Sequence, residues 1–149
     1  MMKTILSAMK TSISEVMEIM FFMPVEFSEN VTEKQIKEIK ERQCKACCLD
    51  FSGDFSGSVY MLVPGQLLSE MTENFMGESR DFLNDEIIEG TLTETVNMVA
   101  GNALKKVKAE VSFELGLPKL IPGSQFPETQ GILIIETTGS KMAVHVTLL

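Results

Sequence analysis

Asn84–Ala109 reads NDEIIEGTLTETVNMVAGNALKKVKA, and the reading of this stretch decides the fold. On a wheel of about 100° per residue, Ile88, Leu92, Val96, Val99, Ala103 and Val107 fall together, as in a helix with one face on a core. Asp85, Glu86 and Glu89 lie near its positive N-terminal end. Lys105, Lys106 and Lys108 lie near its C-terminal end, the distribution that the helix dipole favours. The apolar side is therefore predicted to face a sheet.

Outward from this helix, strands and turns alternate. On the C-terminal side Gly116 and Pro118 mark the exit, and LPKLIPG (Leu117–Gly123) is predicted as a loop. GILIIETTG and SKMAVHVTLL then form a hairpin around Thr137–Ser140. On the N-terminal side Gln66–Met76 reads as a short helix ended by Gly77. Before it, CKACCLDFSG and GSVYMLVPG read as two strands joined by a turn around Gly53–Gly57. Glu33–Arg42 reads two ways, its charges favouring helix and its neighbours strand. Ser28–Glu33 is a polar connection. A first helix is expected from about Thr4 to Phe22, with a core stripe of Ile5, Met9, Ile13, Val16 and Met20, stopped by Pro24. Helix, strands, helices and strands in this order predict an α+β fold. The expected form is a two-layer sandwich of long helices on a largely antiparallel sheet, one domain over residues 1–149.

A net charge of −8 leaves no basic surface for nucleic acid or for an anionic membrane. Lys3 is followed by a mixed stretch rather than an export signal, and the longest apolar run, Ile19–Val25, is too short to span a bilayer. A cytoplasmic protein is expected. The three cysteines, Cys44, Cys47 and Cys48, cannot all pair, which fits a reducing compartment. With one histidine, His145, and no second cysteine pair, a four-ligand metal site is hard to assemble, and no metal site is expected. On a strand, Cys44 and Cys47 would point to opposite faces, as buried structural thiols. His145 sits in an alternating strand and reads as structural. Most of the eleven methionines fall on the apolar stripes and read as core.

The polar side of the long helix is less ordinary. Gly90, Glu94, Asn97 and Gly101 follow the spacing i, i+4, i+7, i+11 and form one stripe, continued by Lys105 and Lys108. Each interior glycine costs about 1 kcal/mol of helix stability relative to alanine. Two glycines bracketing a carboxylate and an amide keep bulk away, so another backbone or a phosphorylated loop can approach Glu94 and Asn97. Glu-x-x-Asn alone is weak, arising by chance in roughly one chain of this size in three. The flanking glycines are what single it out.

Thr93–Asn102, TETVNMVAGN, resembles the signature helix of the CheC/CheX/FliY chemotaxis phosphatases, in its CheX-like form. FSGDFSGSVYMLVP (Phe51–Pro64) is similar to the family's hairpin, with its Gly-x-x-x-Gly turn at Gly53 and Gly57. SEMTENFMG resembles the short helix that follows, and the Leu117-Pro118 loop and closing hairpin match in position. The resemblance covers most of the chain, strongest from Asp50 to Asn102 and weakest from Pro24 to Arg42. It implies a phosphatase that hydrolyses the aspartyl phosphate of a CheY-like response regulator in chemotaxis or two-component signalling. Asn97 would orient the attacking water, and Glu94 would pair with the regulator's conserved lysine. Gly90, Gly101 and Lys105 would lie in the contact with the partner. The resemblance also implies a homodimer and no cofactor of the chain's own, the Mg2+ ion belonging to the regulator.

Ser14–Met20 (SEVMEIM) parallels Thr93–Val99 (TETVNMV), which suggests pseudo-duplicated halves. The alternative is an amphipathic core helix with an accidental echo. In the echo the stripe becomes Thr11–Glu15–Glu18–Phe22. Glu18 brings negative charge where water would be oriented, and Phe22 fills the space that Gly101 leaves. One active motif per chain is expected. A second function is also consistent with the sequence: a non-catalytic docking module for a response regulator or flagellar switch component. Retention of the Asn97 amide favours the enzyme.

Overall fold

The computed structural model describes residues 1–107, 112–128 and 130–149. Four helices, α1 (Met2–Phe21), α2 (Glu33–Glu41), α3 (Gly65–Met76) and α4 (Asp85–Val107), accompany seven strands among these residues. The strands are β1 (Glu26–Phe27), β2 (Cys44–Ser52), β3 (Gly57–Pro64), β4 (Glu114–Leu115), β5 (Lys119–Ile121), β6 (Ile132–Thr137) and β7 (Ser140–Leu148). They form one antiparallel sheet in the order β1-β6-β7-β3-β2-β4, with β5 also paired to β2. The predicted continuation of the long helix through Lys108 and Ala109 lies outside the described residues.

Alternation along the strands explains why the sheet is covered on both faces. Cys47, Leu49 and Phe51 of β2, Val59, Met61 and Val63 of β3, and Met142, Val144 and Val146 of β7 point into the core shared with α1, α3 and α4. Ala46, Leu62, Ile134 and Ala143 point the other way, onto Ile36 and Ile39 of α2 and onto Phe126. Each fully buried aliphatic side chain contributes about 2 kcal/mol, so the two clusters fix the register of every central strand. The two-layer α+β sandwich is as expected, with α2 as an additional cover. Of the two readings of Glu33–Arg42 the helix is the one formed, over Glu33–Glu41, and its signal is local. Thr32 accepts a hydrogen bond from the Gln35 amide while the Gln35 side chain accepts one from the Thr32 amide, a capping box. Thr32→Ala is expected to destabilise the fold by about 1 kcal/mol. This would appear as a lower urea midpoint at unchanged slope; an unmoved midpoint would contradict it.

The halves are arranged as a duplication would have them. The β2–β3 and β6–β7 hairpins meet through their second strands, β3 and β7, which run antiparallel at the centre of the sheet. Helices α1 and α4 lie against each other on one face. At their crossing the buried Ser12 hydroxyl donates to the Val99 carbonyl at 2.8 Å. At Gly57 a Cβ would overlap the Thr147 carbonyl, so only glycine permits this close pairing of β3 with β7. The closing hairpin turns at Thr138 and Gly139, both at positive φ, as a two-residue turn requires.

Three expectations need correction. Leu117–Gly123 is not all loop: Lys119–Ile121 pairs with β2, and Glu114–Leu115 adds a second short pairing to the same strand. Ahead of the polar connection, at residues on which no expectation was placed, Glu26–Phe27 pairs with β6. Helix α1 buries Met17 and Phe21, and Met20 is only partly covered. Its end is a backbone device rather than Pro24 itself. Phe22 adopts φ 58°, its amide bonds the Glu18 carbonyl, and the Met23 amide bonds that of Met17.

Cys44 and Cys47 do point to opposite faces of β2, and all three thiols are free. Only Cys47 is fully buried, Cys44 and Cys48 being partly covered; burial raises all three pKa values, that of Cys47 to about 11, which favours the protonated sulfurs near neutrality. His145 is buried with edge-on rings of Tyr60 and Phe126 beside it, and burial lowers its pKa, so the neutral imidazole persists at neutral pH.

Candidate functional site

The two faces of α4 are sharply different. Thr91, Leu92, Thr95, Val96, Val99, Ala100, Ala103 and Leu104 are buried, a broader face than the predicted stripe because α4 packs against the sheet, α1 and α3. Ile88 and Val107 are only partly covered. The buried threonines satisfy themselves by donating to carbonyls one turn back, Thr95 to Thr91 at 2.6 Å and Thr91 to Ile87 at 3.1 Å. Asn84 caps the helix, its side-chain oxygen accepting from the Ile87 amide at 2.9 Å. Acidic residues fill the first turn, and Lys105 and Lys106 the last.

On the opposite face Gly90, Glu94 and Lys105 are exposed, with Asn97 and Gly101 half-buried among them. These five residues, selected by spacing, share one stripe of a rigid helix. Among the described residues, Glu94, Asn97 and Lys105 have no hydrogen-bond or ion-pair partner. The predicted sixth member, Lys108, lies outside the described residues. An unpaired carboxylate and an unpaired amide at i, i+3 present one charged acceptor beside a group that both donates and accepts.

Neither glycine is there for the fold. A Cβ on Gly90 would meet nothing within 4 Å, and one on Gly101 would make an ordinary 3.5 Å contact with Leu115 Cδ1. Both are helical positions where alanine would serve better. Gly90→Ala is expected to stabilise the protein by about 1 kcal/mol, a rise of about 3 °C in Tm, while impairing whatever docks on this face. Greater stability with undiminished activity would remove the reason given for the glycine.

The echo on α1 is not equivalent. Glu15 accepts from Asn102 Nδ2 at 2.9 Å and Lys106 Nζ at 3.1 Å, so its carboxylate is tied to α4 and its pKa is lowered by these bonds. Glu18 is exposed, and Phe22 stands 73% exposed at the end of the helix. Of the two stripes, and among the described residues, the one on α4 combines an unpartnered carboxylate, an unpartnered amide and bare flanks.

No group of three or more His, Cys, Asp or Glu side chains among the described residues could hold a metal ion. No helix among the described residues is long and apolar enough to cross a membrane. The largest cleft, about 720 Å³ and bordered by Arg42, Lys45, Gln66 and Arg80, does not include Glu94 or Asn97. Much of its charge is already used, since Lys45 faces Glu89 at 3.7 Å and Arg80 bonds Glu73 at 2.9 Å. A smaller depression of about 390 Å³ adjoins the stripe, bordered by Glu86, Glu89, Gly90, Thr93 and Leu120. Glu86 and Leu120 were missed from sequence. Glu86 was within reach, two turns before Glu94 on the same stripe; Leu120 was not, because its position depends on the pairing of β5 with β2.

A family model described as chemotaxis phosphatase CheX matches residues 45–138, the span from β2 to the closing hairpin. Among solved structures, chemotaxis protein CheX from Vibrio vulnificus is similar at a TM-score of 0.76 and 19% identity, covering 97% of this chain and 96% of that one. CheX in a CheX–CheY–BeF3–Mg2+ complex from Borrelia burgdorferi matches at 0.71 and 17% identity, covering 95% and 96%. FliY from Thermotoga maritima matches at 0.63 and 17% identity, covering 95% and 84%. No curated protein matches the sequence.

Proposed function

Because the chain belongs to the chemotaxis phosphatase CheX family, we propose that the α4 stripe is where it removes phosphate from a CheY-like response regulator. Phosphatase activity comes with the family. The observation that carries the site is the coincidence of unpartnered Glu94 and Asn97 with two glycines that the fold does not need.

The reaction is water plus aspartyl phosphate giving a free aspartate carboxylate and inorganic phosphate. Water attacks phosphorus in line as the bond to the carboxylate oxygen breaks, the bonding pair stays on the carboxylate, and the water's oxygen and both its protons leave with the phosphate as dihydrogen phosphate. Catalysis of such a transfer is mostly positioning and charge stabilisation. Asn97 accepts a hydrogen bond from the water through its amide oxygen and holds it in line without bringing negative charge near the phosphoryl group. Glu94 takes the regulator's conserved lysine and sets the distance between the two proteins. Magnesium on the regulator neutralises charge on the phosphoryl oxygens. Gly90 and Gly101 let the regulator's loops reach the helix, and Lys105 meets acidic surface at the far end of the stripe. The CheX–CheY–BeF3–Mg2+ complex of the Borrelia relative supports a CheY-type partner. A cytoplasmic location and a homodimeric assembly belong to the same proposal, the first supported by three free thiols in one chain.

The test is to follow phosphate loss from phosphorylated CheY-like regulators encoded with this chain. Acceleration over spontaneous decay by catalytic amounts of protein supports the proposal. Tight binding without acceleration would instead leave a docking module, and neither would remove both readings.

A further inference from the structure

Beside the stripe, the depression bordered by Glu86, Glu89, Gly90, Thr93 and Leu120 has a consistent chemistry. No side chain around it is a donor with a proton to spare. Glu86 and Glu89 are acceptors, and the Thr93 hydroxyl donates to the Gly90 carbonyl at 3.0 Å, which leaves its lone pairs outward. Glu89 is engaged by Lys45 at 3.7 Å, whereas Glu86 has no partner among the described residues. Leu120 is 45% exposed on the short edge strand, apolar surface left uncovered beside a helix stripped of side chain at Gly90.

We propose that this depression is a specificity subsite that takes a lysine or arginine side chain from the regulator's surface. Its methylene stem lies on Leu120 and the bare backbone at Gly90, and its cationic head reaches the Glu86 carboxylate. Long basic side chains bury their stems in this way while keeping the charge in contact with water. The occupant is fixed by continuity and by charge. Glu86, Gly90 and Glu94 are successive turns of one stripe, so a regulator seated on Glu94 and Asn97 covers the depression, and an acceptor-only lining selects a donor cation. The subsite rests on the function proposed above and adds a second contact to it. The first, at Glu94, is set by the chemistry of the reaction. The second, at Glu86, lies two turns further out, where regulators are free to differ, and it discriminates among them.

Two exposed substitutions test this without threatening the fold, Glu86→Lys and Leu120→Ser, assayed with the phosphorylated regulators that the wild-type chain dephosphorylates. Each is expected to raise KM about fivefold with kcat within about twofold, since rim contacts govern encounter rather than chemistry. The Glu86→Lys effect should shrink in high salt and the Leu120→Ser effect should not. Binding of each variant to the beryllofluoride-activated regulator, measured by calorimetry, separates two failures. Weakened binding by variants of a wild type that binds but does not hydrolyse keeps the subsite and removes the phosphatase. Unchanged KM and Kd in both variants, with an active wild type, removes the subsite alone. A wild type that neither binds nor hydrolyses removes both.

Discussion

Asn97→Ala is expected to lower the dephosphorylation rate at saturating regulator about a hundredfold, while affinity for the activated regulator changes by less than about threefold. The reason lies in what the amide touches. In the free protein Asn97 has no partner among the described residues, so its removal breaks nothing in the fold. Alanine is also the better helix former by about 0.6 kcal/mol, so urea unfolding should show equal or slightly greater stability. The loss therefore falls on a contact made only when phosphorus and water are both present. Rate measurements over a range of regulator concentrations separate kcat from KM. A variant that keeps its kcat would show that another group orients the water.

Glu94→Lys should be nearly as damaging, by a different route. On the proposed docking, the substitution removes the carboxylate assigned to the regulator's lysine and places like charge against it, for a combined expected effect of about 3 kcal/mol in kcat/KM, or about a hundredfold. Most of it should appear as raised KM, and added salt should recover part of it. Glu94→Gln, which loses attraction without adding repulsion, should fall between. Glu94 is exposed and unpaired among the described residues, so neither variant should disturb folding. Equal kcat/KM for Glu94→Lys and wild type would show that the carboxylate does not meet the regulator.

Much of this was legible in the sequence because the relevant rules are local. The period of α4, the glycines on its polar side and the turn at Thr138–Gly139 each follow from residue type and spacing. The contrast between the stripe and its echo was also legible at Glu18 and Phe22. The capture of Glu15 by Asn102 and Lys106 was not, because it depends on how α1 crosses α4. The short strands β1, β4 and β5 escaped for a related reason. Two or three residues carry too little pattern, and their pairing is decided by free edges elsewhere in the sheet. The position of Leu120 beside Gly90 and Thr93 was lost with β5. The breadth of α4's buried face was lost because a helix wheel records one covering surface, and this helix is covered by α1, α3 and the sheet. The capping box at Thr32 and Gln35 was present in the sequence and would have resolved the two readings of Glu33–Arg42 in favour of helix.

The most direct test is the structure of this chain bound to a beryllofluoride-activated CheY-like regulator with Mg2+. The face of α4 carrying Gly90, Glu94, Asn97 and Gly101 is expected to enter the regulator's active site. The Asn97 amide should then lie within hydrogen-bonding distance of a water in line with the beryllium, and Glu94 should pair with the regulator's lysine. A complex in which this face of α4 stands in solvent while the regulator sits on another surface would contradict it.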